Sequence, residues 1–370
     1  MKKKKEEKTE NGENIKFDFS IIDQALLGLT KELGKDVLVD TVEHHTWERI
    51  KSRSPTLGWI CGKGGIPKGG IIELFGPESG GKSLVAQNII ADFQQANEFA
   101  VYIDTEYSFN PEYAEVQGMK TDKQHLAVIH PDTGEDAFEA AVQLVRTKQV
   151  GIVVVDSLAT CLPSSEDKGS MNDQQMGAQA RMIGKGLRKL LPIASKAGTT
   201  IILINQIRMK IGISWGNPET TPGGNAPKFY SCIRLDIRKG DKEEGDKDTD
   251  DMLGQYIKVK NVKNKTSVPY RKGQVFCSFT EGLDVCSEYC DFAVSFNIIE
   301  KKGAWFSYGG SNIGQGKNNT VKFLKENPDI YEEIKKAVDS KLNTDTTLND
   351  PAEDIEKESI ADLAEQALNF

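Results

Sequence analysis

Gly76-Pro77-Glu78-Ser79-Gly80-Gly81-Lys82-Ser83 decides how this 370-residue chain folds. An apolar run, Ile71-Ile72-Glu73-Leu74-Phe75, precedes it, and a helical pattern, Leu84-Val85-Ala86-Gln87-Asn88-Ile89-Ile90, follows. Strand, glycine loop and helix form the setting in which G-x-x-x-x-G-K-[ST] is a phosphate cradle. Gly76, Gly80 and Gly81 let the backbone through Pro77, Glu78 and Ser79 curl, so that its N–H groups point at phosphate oxygens. The helix adds its unpaired N-terminal donors and the positive end of its dipole. Lys82 is placed to reach the β- and γ-phosphates, and Ser83 to set a hydroxyl on Mg2+. The stretch predicts a nucleoside triphosphate site.

Outward from it, buried-strand runs recur at 99–104, 126–129, 152–155 and 200–204, with helical stretches between them. Near-continuous apolar runs of this length suit a parallel sheet covered on both faces. Residues 232–238 and 256–260 instead alternate apolar with polar, as strands with one wet face do. They predict an antiparallel extension at the sheet edge, joined by the acidic hairpin 240–254. The fold class is therefore α/β: a mostly parallel central sheet with antiparallel edge strands over residues 51–284.

Residues 1–50 are expected to hold a charged, disordered start and one helix opened by a Ser20/Asp23 capping box. Ile21, Ile22, Ala25, Leu26 and Leu29 share a face of that helix, to be covered by its own core or by a neighbouring subunit. Residues 285–342 read as a small α+β domain: a helix over 285–300, an aromatic strand Trp305–Tyr308 and two helices ending near Leu342. Residues 343–370 read as a disordered acidic tail.

No apolar run approaches the ~20 residues of a membrane span, and Met1–Glu7 has no apolar segment behind it. No membrane role and a cytoplasmic location are expected. Six scattered cysteines suggest buried free thiols in a reducing compartment, and neither they nor the four histidines make a zinc spacing. A net charge of −8 argues against simple polyanion binding. That charge is concentrated, however: from Lys341 onward eight acidic residues face two lysines.

Three polar residues end strand-like runs near the cradle. Glu106, in Val101–Glu106, lies where ligands bind in such sheets and could deprotonate a water attacking the γ-phosphate. Asp156 ends Ile152–Asp156 in the manner of a carboxylate that supports Mg2+. Gln206 ends Ile201–Gln206, where a neutral amide can sense the γ-phosphate. No guanine-reading Asn-Lys-x-Asp occurs, which favours ATP. A helix over 174–191 sets Arg181, Lys185 and Arg188, with Lys189 beside them, opposite its apolar stripe; without paired carboxylates these cations need an external anion. The loop 207–218 mixes cations, apolar side chains and Trp215, the composition that contacts single-stranded nucleic acid.

GPESGGKS, Met176–Arg181, NQIRMKIGISWGNPETTPGGNA, KFYSCIRLDIRK, KNVKNK and KKGAWFSY…IGQGKNN together resemble the RecA recombinase family of the bacterial type, from about residue 64 to 325. The resemblance implies a RecA-type core that binds ATP and Mg2+ between subunits of a helical homo-oligomeric filament. That filament forms on single-stranded DNA and pairs it with homologous double-stranded DNA. It implies that Glu106 is the catalytic acid–base residue and Gln206 the sensor, while Asn110 and Tyr113 contact adenine. Lys263 and Lys265 would reach the neighbour's ATP. Met176, Arg181 and Arg188 would belong to a first DNA loop and its helix; Arg208, Ile211, Gly223, Gly224 and Asn225 to a second. Phe229 would lie at the subunit contact. Ser83 and Asn110 depart from the family's usual Thr and Asp, and Trp215 from a Phe; Lys51–Lys63 departs most. A ring helicase on the same core and a DNA-bound signalling scaffold are the alternatives.

Overall fold

The computed structural model describes residues 19–33, 47–169, 177–209, 218–244 and 252–344. The chain divides after Trp47 into two units. The first holds one described helix, α1 (Phe19–Leu33), which starts ahead of Ser20 and exposes Ile21, Ile22, Leu27 and Leu29. Residues 1–18 and, of the tail expected to be disordered over 343–370, residues 345–370 lie outside the described residues; Asn343 still belongs to the last helix.

The second unit opens with a short ribbon, β1 (Arg49–Lys51) paired with β2 (Gly65–Pro67), around α2 (Pro55–Cys61). Ser54 caps α2 by accepting from the Leu57 N–H, and Pro55 fits its first turn. Strands and helices then alternate: β3 (Ile71–Gly76), α3 (Lys82–Gln95), β4 (Phe99–Asp104), α4 (Pro111–Val116), β5 (Leu126–Ile129), α5 (Gly134–Arg146) and β6 (Val150–Asp156). After α6 (Ser164–Asp167) come α7 (Ala178–Ala197) and β7 (Thr200–Gln206). A small ribbon, β8 (Arg208–Met209) with β9 (Glu219–Thr220), precedes α8 (Ala226–Tyr230). The antiparallel run β10 (Ile233–Glu244), β11 (Met252–Asn264), β12 (Lys272–Ser278) and β13 (Gly282–Leu283) closes the core.

Nine strands form one sheet in the order β13-β12-β11-β10-β3-β7-β6-β4-β5. It is parallel from β10 through β5 and antiparallel from β10 outward, as the two kinds of apolar pattern predict. The period of two splits each strand between two cores. Ile72, Leu74, Tyr102 and Val154 pack under α3 with Val85, Ile89 and Phe93. Ile71, Ile103, Val153 and Leu203 face α5 and α7 with Phe138, Val142, Leu187 and Leu190. All six cysteines are buried and free.

Four expected boundaries move. The strand toward Glu106 ends at Asp104, because the Asp104 carboxylate accepts the N–H groups of Glu106 and Phe109 and turns the chain. The basic helix expected over 174–191 starts, within the described residues, at Ala178, since Gly177 before it is left-handed (φ 75°), and runs through Pro192 to Ala197; residues 174–176 lie outside the described residues. Of the hairpin expected over 240–254, the two described ends are strand, β10 continuing to Glu244 and β11 beginning at Met252, and residues 245–251 lie outside the described residues. The helix expected to reach Glu300 is α9 (Val285–Ser295), which stops before the left-handed Asn297, φ 54°.

Glu300 then enters β14 (Glu300–Lys302), which joins β15 (Trp305–Tyr308) and β16 (Ser311–Gln315) in a three-stranded sheet. Two helices follow, α10 (Lys317–Glu326) and α11 (Pro328–Asn343). These C-terminal elements share a core with α2: Tyr289, Phe292, Leu324 and Val338 belong to the cluster that holds Trp59 and Ile60. Buried Glu288 of α9 reinforces the contact, its Oε2 accepting from Ser54 Oγ (2.5 Å) and the Thr56 N–H (3.1 Å).

Candidate nucleotide and DNA-binding site

The phosphate loop sits at the C-terminal end of β3, in the middle of the sheet, where parallel strands leave a crevice. Close approach dictates its glycines. A Cβ on Gly76 would collide with the Ile237 carbonyl oxygen, and one on Gly81 (φ 93°) would come within 2.7 Å of Ile257 Cδ1. A cavity of about 300 Å³ opens over the loop, lined by residues 78–84 with Glu106, Tyr113, Asp156, Ile204, Gln206 and Gln255. Lys82 is buried there, and its Nζ donates to the Pro77 carbonyl (2.6 Å). Burial pulls its pKa down, against the pull of Asp156, Glu106 and Glu78. Ser83 Oγ donates to Asp156 Oδ2 (2.7 Å), and so does the Tyr102 hydroxyl (2.5 Å). Burial raises the Asp156 pKa while these two donors lower it. A hydroxyl and a carboxylate side by side are the hard oxygen donors Mg2+ takes, and a buried ammonium beside inward N–H groups suits a triphosphate. The residues fit ATP with Mg2+.

Glu106 stands across the cavity. Its Oε1 accepts from Ser157 Oγ (2.6 Å) and from Gln206 Nε2 (3.1 Å). Gln206 ends β7 directly beside Gly76, so sheet register alone brings the proposed sensor to the phosphate loop. Behind it, buried Asn205 donates to Glu73 Oε1 (3.0 Å) and to the Pro222 carbonyl (3.1 Å), tying the end of β7 to the exit of the 207–222 segment.

A second cavity, of about 430 Å³, lies between the roots of that segment and of α7. It is lined by residues 159–162, Glu166, Gly177, Gln179, Ala180, Arg208 and Gly223. Gln179 Nε2 points at the carbonyls of Leu158, Ala159 and Cys161 (3.1–3.2 Å), linking α7 to the turn that follows Asp156 and Ser157. Gly223 and Gly224 are both left-handed, and a Cβ on Gly223 would press to 3.1 Å against Ile183 Cδ1 of α7. Asn225 starts α8. Arg181, Lys185 and Arg188 are exposed on α7, Arg188 Nε lying 3.4 Å from the Tyr230 hydroxyl, and Arg208 is exposed on β8. The expectation that the whole row lacks carboxylates fails at Lys189, whose Nζ pairs with Glu139 of α5 (2.6 Å). Met176, Ile211 and Trp215 lie outside the described residues.

Comparison with known proteins matches the RecA N-terminal domain to residues 20–284 and the RecA C-terminal domain to residues 287–343. The chain belongs to the RecA family. It is 46% identical over 323 residues to the protein RecA of Syntrophus aciditrophicus (strain SB), covering 86% of this chain and 92% of that one. With the protein RecA of Acinetobacter baylyi it shares 42% identity over 346 residues, 92% of this chain and 97% of the relative. The protein RecA of Thermus aquaticus is 43% identical over 319 residues, 86% and 93% of the two chains.

Not every RecA-family position gathers at the cavity. Tyr113 lines it, half-buried, whereas Asn110 is exposed and caps α4 by accepting the Tyr113 N–H (3.1 Å). Lys263 is remote. It pairs with Arg234, which pairs with Glu73, three residues before Gly76. Two strand spacings and three residues put it roughly 10 Å sideways and 10 Å back from the end of β3. Its Nζ donates instead to the carbonyls of Lys228 and Phe229 at the end of α8. Burial, then the Lys265 and Arg234 charges, lower its pKa. Lys265 and Phe229 are exposed, Phe229 at 70%. Sequence reasoning missed Tyr102, Asp104, Ser157, Asn205 and Gln255, which reach the site through strand pairing and carry no motif of their own.

Proposed function

We propose that this RecA-family recombinase is a DNA-stimulated ATPase. On this reading it assembles as a helical filament on single-stranded DNA, with ATP between subunits, and pairs that strand with a homologous duplex in the cytoplasm. The observation that carries the reading is the Glu106 carboxylate held between Ser157 Oγ and Gln206 Nε2 beside the phosphate loop. ATP and Mg2+ supply the phosphoryl-transfer chemistry when bound. Lys82 and the loop N–H groups would hold the phosphates; Ser83, with Asp156 behind it, would hold the metal; Glu106 would take the proton of the attacking water. Gln206 donates its amide either to Glu106 or to a γ-phosphate oxygen, and β7 passes that choice through Asn205 to the segment that starts at Arg208.

Lys263 and Lys265 are too far from their own phosphate loop to neutralise charge there, which supports a role on the next subunit's nucleotide. Arg181, Arg188, Arg208 and the Gly223-Gly224-Asn225 turn form the DNA side, Met176 and Ile211 joining it from the sequence. ATP hydrolysis titrated with a single-stranded oligonucleotide tests the proposal: turnover should be slow without DNA and rise steeply with it. Equal rates with and without oligonucleotide would contradict it.

A further inference from the structure

The two lysines proposed to act on the next subunit sit in and beside a turn, residues 263–267, that is fastened from outside. Asn264 fixes it internally: its Oδ1 accepts from the Thr266 N–H (2.8 Å), Thr266 Oγ1 (2.9 Å) and the Ser267 N–H (2.9 Å). The fastening comes from Arg49, distant in sequence and two residues past the division after Trp47. Arg49 Nη2 donates to the Thr266 carbonyl (2.8 Å) and to Thr266 Oγ1 (2.9 Å). On the other side of the same guanidinium, Nη1 donates to the carbonyls of Gly65 (2.9 Å) and Cys61 (3.2 Å). Asn264 Nδ2 reaches the same Cys61 carbonyl (3.1 Å). The surfaces are so close that a Cβ on Gly62 (φ 104°) would overlap the Ser267 side chain. Lys265, whose N–H is held by the Cys232 carbonyl (2.9 Å), leaves this clamp with an exposed side chain.

We propose that Arg49 is a positioning residue for in-trans catalysis: it locks the 263–267 turn to the loop after α2, so that Lys263 and Lys265 are presented to the neighbouring subunit in one orientation. The inference rests on the reading of those lysines as in-trans groups. A planar fork can hold both sides of such a seam, whereas a single ammonium cannot span them. Held lysines meet developing charge without first being ordered, which is where a positioned group contributes to rate. Loss of Arg49 should therefore lower kcat about ten- to a hundredfold and leave the KM for ATP and oligonucleotide binding nearly unchanged.

A mixed-filament assay separates this role from a merely structural one. Full-length Arg49→Ala keeps a sound phosphate loop and lacks ordered lysines; Glu106→Gln keeps the lysines and lacks its own turnover. In a head-to-tail assembly, random one-to-one mixing sets about a quarter of the sites between an Arg49→Ala phosphate loop and intact lysines of the neighbour. DNA-stimulated hydrolysis by the mixture should therefore rise to about that fraction of the wild-type rate, well above either variant alone. Lys263→Ala mixed with Glu106→Gln is the control and should recover likewise. Recovery in the control without recovery for Arg49→Ala overturns the role of Arg49. Recovery in neither overturns the in-trans reading, and this proposal with it. If thermal melting shows Arg49→Ala unfolded, Arg49→Lys, which keeps the stem and charge, takes its place with the same expectation.

Discussion

Glu106 Oε1 accepts from two donors at once, Ser157 Oγ and Gln206 Nε2. Replacing its carboxylate by an amide in Glu106→Gln should lower kcat by about 10²–10⁴, the range of a general base. ATP-dependent oligonucleotide retention should persist, because Lys82 and Ser83 are untouched; a variant that kept its turnover would remove Glu106 from the chemistry. Gln206→Ala should behave differently: basal hydrolysis is kept within a few-fold while stimulation by DNA disappears, read as the ratio of rates with and without oligonucleotide. Asp156 and Gln206 are legible because each ends a strand, a position visible in one dimension; Glu106 lies two residues past the end of β4, close enough to the strand end to be found by the same pattern. Ser157, Tyr102 and Asn205 are not legible in this way. Tyr102 reaches Asp156 only because β4 pairs with β6 in register, Asp104 opposite Asp156, and no local pattern states which strands are neighbours.

The buried parallel strands β3 to β7 lie where their apolar runs place them. Burial on both faces fixes a strand's apolar run, while helix ends turn on single backbone conformations, Gly177 before α7 and Asn297 after α9. The basic row of α7 was read as four free cations, and the packing of α5 against α7 removed Lys189 from it. Arg181 is exposed on the same helix, and Arg181→Ala should reduce the salt slope of single-strand binding by about 0.7, one phosphate contact's worth. An unchanged slope would take α7 off the DNA path.

The seam between α9 and α2 should carry a pH dependence through buried Glu288. Burial raises the Glu288 carboxyl from 4.5 to about 7, while Ser54 and Thr56 hold it down in part. For an acid whose folded pKa is raised, the stability it contributes is complete below the unfolded pKa and is lost as pH rises through the folded value. The melting temperature should therefore fall between pH 4.5 and about 7 more steeply in the natural protein than in Glu288→Gln. Equal slopes for the two would mean that Glu288 does not titrate in that window.

The whole chain carries its charge unevenly: it is net acidic, with a row of exposed cations along α7 and eight acidic residues from Lys341 onward. Tethered anions compete with phosphate, so removal of residues 345–370 should strengthen duplex binding at low Mg2+; no change would leave the tail without that role. The central claim is that nucleotide occupancy sets the grip on DNA, through Gln206 and Asn205 to the segment after β7, and through Ser157 and Gln179 to α7. Oligonucleotide affinity measured with a non-hydrolysable ATP analogue, with ADP and with no nucleotide tests it most directly. The account predicts tight binding with the analogue and clearly weaker binding in the other two states; one affinity common to all three would contradict it.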